Sequence, residues 1–272
     1  MAHQPLVDRG HIRLKTCRHG TMLYLASDVY VGGSLDRYGE FSEEEAALFG
    51  QLVQPGWVVV EVGANLGAHT VVLAKTVGPR GFVIAFEPQR VIFQILCANV
   101  AINALGNVYT HQAAVGREPG SITVPPLDYT EVRNYGGLPL GEWTEGESVP
   151  LLTIDSLNLP ACHFLKIDVE GMEGDVIAGA EETIRRFKPV LYVENDRAEH
   201  SAALIGQLQA LDYRLFWHTP PLFNPANFFG VAENTFGRAA SINMLGFPAS
   251  KNPKVEGLRE VSGPDDRSPF VK

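Results

Sequence analysis

The sequence predicts one α/β domain built on a doubly wound, mainly parallel sheet. Short apolar, β-branched segments alternate with segments of helical periodicity between residues 57 and 247. Residues 57–87 read as strand, glycine turn, helix, strand and acidic residue, which is typical of a nucleotide-binding βαβ unit. With 272 residues, of which 45% are hydrophobic, the chain is long enough for one such domain with extensions.

Residues 1–54 are predicted to form an N-terminal hairpin and a helix that cap this domain. Residues 11–31 have the pattern of a hairpin, and Ser42 with Glu45 three residues later predicts a capping box for a helix ending near Val53. We expect this extension to close over a ligand. Tyr38 and Glu40 would then contact the ligand at its mouth, and the alternative is that both are solvated loop residues.

The turn between the first two core strands points to the ligand. The first strand ends on Glu61-Val62, the turn contains Gly63 and Gly67, and the second strand is followed by Glu87. The dinucleotide pattern G-x-G-x-x-G is absent, and a carboxylate at Glu61 would repel a pyrophosphate. S-adenosylmethionine carries an ammonium, a sulfonium and a ribose but no phosphate, so it suits both acids.

We therefore predict S-adenosylmethionine as the cofactor. The alternative is an ordinary βαβ unit in which the glycines only form a tight turn. The predicted cofactor contacts around this unit are Glu61, Gly63, Ala64, Asn65, Gly67, His69, Thr70, Glu87 and Pro88.

The remaining elements follow in alternation. Pro88 suits the first turn of a helix that extends to about Val100. The later predicted strands are 107–112, 121–124, 150–154, 163–169, 189–194, 213–218 and 241–247, and the later predicted helices cover about 176–187 and 204–211. Residues 55–248 form the predicted cofactor-binding domain, and the polar residues 249–272 are predicted to be a loose C-terminal tail.

Residues 116–150 form an insert rich in glycine, proline and polar residues. A segment of this length without regular periodicity inside a compact domain is often functional. We predict a substrate lid that contacts the acceptor through Asn134 and Tyr135. A plain flexible insertion is the alternative.

Charged residues interrupt the apolar strand 163–169. Lys166 and Asp168 are two residues apart and should project from the same face of the sheet. Because charge in a buried strand often marks a functional site, we predict that Asp168 is catalytic. A buried lysine–carboxylate pair that only orders the strand end is the alternative.

Residues at the ends of neighbouring strands complete the predicted site. His218 and Asp196 are further candidates for the general base. The predicted acceptor contacts here are Glu194, Asn195 and Asn227. A metal-free site is favoured, and a divalent cation held by Asp168 with Glu194 or Asn195 is the alternative.

Three segments resemble the FkbM-type methyltransferases, a branch of the class I, Rossmann-like enzymes that use S-adenosylmethionine. They are VEVGANLGAHT, AFEP and FLKIDVEGMEGDVIAGA, within a resemblance that extends from about Asp28 to about Pro248. The resemblance implies a seven-stranded sheet in which the final strand inserts antiparallel between the two preceding ones. It also implies that Gln112, Ala113 and Ala114 lie against the adenine, and that a hydroxyl of a sugar or other natural product is methylated.

The predicted function is therefore O-methylation of a small acceptor by S-adenosylmethionine. N-methylation of a small amine and a catalytically inactive cofactor-binding module are the alternatives, and a NAD-dependent oxidoreductase is a weaker one. A net charge of −9 argues against a nucleic-acid partner. No stretch reaches the roughly 18 apolar residues of a membrane helix. We expect a cytoplasmic protein with reduced cysteines, in which a monomer and a homodimer both stay open.

Overall fold

The computed structural model describes residues 4–270 except Glu142 and Pro253. The N-terminal extension begins with a small antiparallel sheet of three strands, β1 (Val7–Arg9), β2 (Ile12–Cys17) and β3 (Gly20–Leu25). Two helices follow, α1 (Val31–Tyr38) and α2 (Glu43–Leu52). Sequence periodicity did not predict α1, because the helix contains Gly32 and Gly33.

The central sheet confirms the predicted fold class, although it has eight strands where seven were expected. Its strands are β4 (Val58–Val62), β5 (Phe82–Phe86), β6 (Val108–His111), β10 (Phe164–Ile167), β11 (Val190–Glu194), β12 (Tyr213–His218), β13 (Asn243–Pro248) and β14 (Arg259–Glu260). Their order across the sheet is β14-β12-β13-β11-β10-β4-β5-β6. Strand β13 lies antiparallel between β11 and β12, as the family resemblance implied.

Helices cover both faces of the sheet. They are α3 (Ala68–Val77), α4 (Arg90–Ile102), α5 (Glu173–Ala178), α6 (Glu181–Phe187) and α7 (Ala198–Ala210). One core joins α2 and α3 to the face that carries Val59, Phe164 and Tyr192. A second core joins α5, α6 and α7 to the opposite face through Leu165 and Val193. No described helix is long and apolar enough to cross a membrane.

The insert contains a small second sheet. Strand β7 (Ala114–Val115) pairs with β9 (Glu147–Leu152), which also pairs with β8 (Gly120–Val124). The loop between β8 and β9 is tied to the N-terminal extension, because the carboxylate of Asp28 accepts the backbone N–H of Tyr135. Whether this loop opens as a lid stays a prediction.

Two local predictions fail for identifiable reasons. The predicted capping box does not form: Ser42 has φ 42° and makes no side-chain cap, and the Glu45 carboxylate instead accepts a hydrogen bond from Asn243 at 2.9 Å. The predicted loose tail is partly ordered, since β14 pairs with β12 and Val261 is buried in the main core. Tertiary partners decide both cases.

The glycine turn after β4 is tightly enclosed. Gly63 has φ +81°, and the space that a side chain would need is occupied by the backbone oxygen of Asp168 after β10. A β-carbon there would have to push apart two adjacent strands of the sheet. The turn can therefore form only with glycine at this position.

We predict that Gly63→Ala lowers the free energy of unfolding by at least about 2 kcal/mol, from left-handed strain and the clash with Asp168. Urea unfolding measures the change. Gly50→Ala is the matched control, because Gly50 is helical and nothing lies within 4 Å of its added carbon, so this change should be neutral or slightly stabilising. Equal stability of Gly63→Ala and wild type would contradict the geometry.

Candidate active site

A cavity of about 1300 Å³ lies at the carboxyl ends of the parallel strands. This is the position at which open α/β sheets bind ligands. The ends of β4, β5, β10 and β11 line its floor through Glu61, Glu87, Asp168 and Glu194. A smaller side pocket continues from it and shares Gly63, Glu87, Gln89, Gly136, Asp168 and Glu170.

Glu87 organises the glycine turn. Its carboxylate accepts the backbone N–H of Asn65 at 3.0 Å and that of Gln89 at 2.8 Å. The backbone N–H groups of Gly63 and Ala64 both donate to the carbonyl of Phe86. The end of β5 and the turn after β4 are thereby joined into one rigid cradle. Burial raises the pKa of Glu87 to about 7.

Glu61 is the most deeply buried acid of the cavity, with 0% of its surface exposed. Its Oε2 accepts a hydrogen bond from the Thr70 hydroxyl at 2.6 Å, whereas its Oε1 is buried without a partner in the part of the chain that is described. Burial raises its pKa to about 7. A buried carboxylate oxygen left over in this way fits a ligand that brings an ammonium donor.

Lys166 and Asp168 form the ion pair that their spacing predicted. The ammonium lies 2.9 Å from Asp168 Oδ2, and Lys166 is 2% exposed whereas the Asp168 side chain is 38% exposed. Burial alone would lower the pKa of Lys166, but the charges of Asp168, Glu61 and Glu45 outweigh it and raise the pKa. Lys166 is therefore a buried cation in the cavity lining, and Asp168 is the more exposed member of the pair.

Three carboxylates meet beside this pair. One oxygen each of Asp168, Glu170 and Glu194 lies within 4.8 Å of the others. Arg197 balances part of this charge through an ion pair with Glu170 at 2.5 Å. The pKa of Glu194 is raised, first by burial and then by the charges of Asp168 and Glu170. These carboxylates could hold a divalent cation. The sequence favoured a metal-free site, with such a cation as the alternative.

Most predicted site residues do line these cavities. Those in the main cavity are Glu61, Gly63, Ala64, Asn65, His69, Glu87, Asn134, Asp168, Glu194, Asn195 and Asp196. Pro88, Ala113 and Ala114 line the side pocket. These residues come together because they lie at the strand ends or in the loops that follow them.

Tyr38 and Glu40 require a correction, since they bind a loop of the protein itself. Glu40 accepts hydrogen bonds from Arg18 Nε, Asn224 Nδ2 and the backbone N–H of Phe228. The Tyr38 hydroxyl donates to the carbonyl of Glu233. Both residues fasten the segment 224–235 to the N-terminal extension. Neither lies in the described lining of the cavities, so they serve the local structure rather than touch a ligand.

His218 also lies outside the cavity in which the general base was predicted. It is buried and outside the described lining of the cavity, and Tyr192 pairs with its Nδ1 at 2.7 Å. Burial lowers its pKa to about 4, so the ring is neutral near pH 7. The histidine joins two strands, and a substrate proton has no direct path to it.

The other predicted site residues that lie outside the described cavity lining serve the local structure. Tyr135 is buried, with its hydroxyl on the backbone of Asp128, and Asn227 closes its own loop by bonding Val231. The Thr70 hydroxyl donates a hydrogen bond to Glu61, and the Gln112 side chain donates one to Glu147. Gly67 lies immediately before α3. Each of these polar groups is occupied within the protein.

The structure adds residues that sequence reasoning missed. Gln89 reaches from α4's start to the carbonyl of Tyr135 and lines both cavities. Trp217 and the C-terminal residues 267–270 line the main cavity. A glutamine after Glu87-Pro88 gave a weak local signal, but nothing in the polar tail indicated that it returns to the site.

Comparisons with known proteins agree with this geometry. The sequence model of the methyltransferase FkbM domain matches residues 61–215, which is more than half of the chain. "Methyltransferase 1" of Beauveria bassiana (strain ARSEF 2860) is 27% identical over 146 residues, or 46% of this chain and 58% of that protein. The matched part of the chain therefore spans less than two thirds of that relative.

Solved structures are similar in fold. Trm5b from Pyrococcus abyssi has a TM-score of 0.50 at 12% identity and covers 88% of this chain and 56% of its own. A precorrin-6y C5,15-methyltransferase from Geobacter metallireducens GS-15 has a TM-score of 0.49 at 11% identity, over 75% of this chain and 89% of its own. A methyltransferase FkbM from Methylobacillus flagellatus KT has a TM-score of 0.45 at 15% identity, over 74% and 50%.

At these identities the likeness to Trm5b concerns the fold alone, and the two structures with TM-scores below 0.5 add no argument. The family match rests on the sequence of the domain that builds the cavity, from Glu61 at the end of β4 to Leu215 in β12. The chain therefore belongs to the FkbM family of methyltransferases, and its cofactor is S-adenosylmethionine.

Proposed function

We propose that this methyltransferase transfers the methyl group to a hydroxyl of a sugar or another small natural product. The observation that carries this proposal is the position of Asp168. Its carboxylate is the partly exposed member of a buried ion pair, and it lines both the main cavity and the side pocket. An alcohol needs help to lose its proton, and a carboxylate at this point can accept it.

The cofactor end of the site would be held by the cradle around Glu87 and by Glu61. The unpartnered Oε1 of Glu61 suits an ammonium group, and the buried carboxylate of Glu87 suits ribose hydroxyls. The bound cofactor supplies an electrophilic methyl group on a sulfonium. The protein's own part is then to orient the acceptor, exclude water and take up a proton.

Lys166 fixes the orientation of the Asp168 carboxylate. The ammonium occupies Asp168 Oδ2, and Oδ1 accepts no hydrogen bond from any described residue. One oxygen is thus fixed while the other is open toward the cavity. This arrangement orients the carboxylate and supports its role in binding the acceptor hydroxyl and accepting its proton.

A metal-assisted version of the same reaction has one specific observation in its favour. Asp168, Glu170 and Glu194 offer three oxygen ligands within 4.8 Å of one another. A divalent cation there would lower the pKa of a hydroxyl that it binds. We propose the metal-free route because Lys166 already pairs with Asp168 and Arg197 with Glu170.

The first functional prediction concerns the cofactor cradle. Glu87→Ala should weaken S-adenosylhomocysteine binding by more than about 1.5 kcal/mol, because charge-assisted hydrogen bonds are lost. Calorimetry measures the affinity, and thermal melting checks that the fold persists. Glu118→Ala, at an exposed position outside the described cavity lining, should bind normally. Wild-type affinity in Glu87→Ala would remove Glu87 from the cofactor site.

Affinity for S-adenosylhomocysteine should also depend on pH. The pKa values of Glu61 and Glu87 are raised by burial to about 7 in the free protein, above the ordinary 4.5. Ligand donors favour the ionised forms, so binding releases protons and affinity should fall by about tenfold or more from about pH 8 to about pH 6.

The sign is opposite for the stability of the free protein. Because folding raises the pKa values of Glu61 and Glu87, the stabilisation that these two groups contribute to the free protein is present below about pH 4.5. This contribution is lost as the pH rises to about 7.

Calorimetry at several pH values measures the pH dependence of S-adenosylhomocysteine binding, and Glu87→Gln is expected to show a shallower dependence. A flat profile in the wild type would show that neither acid contacts the ligand.

Asp168→Asn tests the proposed chemistry. It should keep the fold and most cofactor affinity but lower turnover by roughly a hundredfold or more, because the amide cannot accept the proton. The assay follows S-adenosylhomocysteine formation with an acceptor found by screening sugars and small hydroxylated natural products. Asp175→Asn, in an exposed pair with Arg117, is the control.

Two results would change this mechanism. Near-normal turnover in Asp168→Asn would transfer the role to another group, with Asp196 tested next. Loss of wild-type activity in EDTA, restored by magnesium, would favour the metal-assisted route. Cofactor binding without methylation of any hydroxyl acceptor, but with methylation of amines, would replace O-methylation by N-methylation.

A further inference from the structure

The cations of the cavity fall into two groups. Four cationic side chains line it, from Lys166, Arg197, Arg238 and Arg267. Lys166 pairs with Asp168, and Arg197 pairs with Glu170 at 2.5 Å and with Asp196 at 3.4 Å. These two therefore offset the acids at the strand ends and leave little charge for a ligand.

Arg238 and Arg267 differ from that pair. Both side chains are exposed, and within the described ranges neither guanidinium makes an ion pair or a side-chain hydrogen bond. They belong to two distant segments, the loop before β13 and the chain after β14. Two guanidinium groups without an ion-pair partner among the described residues are thus brought to one cavity by the fold, in a protein whose net charge is −9.

The segment that carries Arg267 is held in place. Strand β14 pairs with β12, and Val261 is buried in the core. Asp266 then accepts hydrogen bonds from the Arg259 guanidinium and from the backbone N–H of Ser262, while Arg259 also donates to the carbonyl of Arg267. The turn so formed directs residues 267–270 to the cavity wall.

A neutral hydrogen-bond donor in the cavity lining also lacks a partner among the described residues. Trp217 lines the cavity and is 2% exposed, and its indole Nε1–H has no hydrogen-bond partner in the described part of the protein. A buried donor without a partner costs free energy, and an oxygen atom of a ligand would relieve that cost. Trp217 is followed by His218 at the end of β12, and it pairs in register with Arg259 of β14.

We propose that the acceptor carries an oxyanion, which is a carboxylate, phosphate or sulfate group, and that Arg238 and Arg267 bind it. This inference rests on the proposed function for the identity of the site as an acceptor site. Guanidinium groups bind such oxyanions through paired, charge-assisted hydrogen bonds. The acids Glu61, Glu87 and Asp168 repel an anion from the cofactor end, so the charged group points away and the reacting hydroxyl toward Asp168.

An aromatic surface accompanies these arginines. The rings of Tyr30 and Phe236 lie 6.0 Å apart, and both residues line the cavity together with Phe270. Such faces suit the ring or apolar body of a small molecule. The acceptor would then be an organic anion with a hydroxyl group at a distance from its charge.

The test uses simple oxyanions as probes. Sulfate, phosphate and acetate are titrated separately, at constant ionic strength, into the full chain saturated with S-adenosylhomocysteine. Calorimetry and tryptophan fluorescence report binding, and Trp217→Phe identifies the fluorescence of Trp217. The probe with the highest affinity identifies the class of oxyanion.

We expect saturable binding of at least one probe to the wild type. Arg238→Gln and Arg267→Gln should each raise its dissociation constant by about tenfold, and the double variant should lose binding. Arg185→Gln is the matched control, because Arg185 is an exposed arginine of α6 paired with Glu181 and outside the described cavity lining, and it should bind as the wild type does.

The double variant decides the outcome. Unchanged probe affinity in that variant, or no saturable binding of any probe to the wild type, would overturn the oxyanion site. Binding of S-adenosylhomocysteine is measured in the same samples. If that binding persists while the probes fail, only this inference falls; if the wild type does not bind S-adenosylhomocysteine, the proposed function falls first.

Discussion

The buried ammonium of Lys166 is the charge on which the site depends. A cation this far from water is stable only among anions, and three carboxylates surround it, those of Asp168, Glu61 and Glu45. Two of them lie on the sheet, since Lys166 pairs in register with Glu61 and is two residues before Asp168. The same cation therefore stabilises the acid at the cofactor end and the acid proposed as the base.

The third carboxylate links the N-terminal extension to this centre. Glu45 comes from α2 and bonds Asn243 of β13, while burial raises its pKa to about 7. Glu40, which is also buried, binds the segment around Asn224. The extension is thus joined to β13 and to the loop before it. Its structural contribution is to hold β13 and this loop against the central sheet.

The acids that line the cavity and two of its arginines lie on different segments of the chain. Acids line the strand ends, where Lys166 and Arg197 offset them, and the unpaired arginines lie on later segments of the chain. The family match ends at residue 215, before Trp217, Arg238 and Arg267. The part of the cavity proposed to choose the acceptor is therefore built by residues outside the matched domain, as expected if a common methyl-transfer site takes different acceptors.

The parallel strands, the glycine turn and the acids at the strand ends could be predicted from the sequence, whereas strand β14 could not. Glu61, Glu87, Lys166 and Asp168 could be placed because strand periodicity and the order of βαβ units act locally, and because parallel strands end at one edge. Only the tertiary structure decided what Tyr38, Glu40, His218 and the C-terminal tail do. The hydrogen-bond partners of Tyr38, Glu40 and His218 lie 22 to 197 residues away, as in Arg18–Glu40, Tyr192–His218 and Tyr38–Thr235, and no local pattern records such pairings.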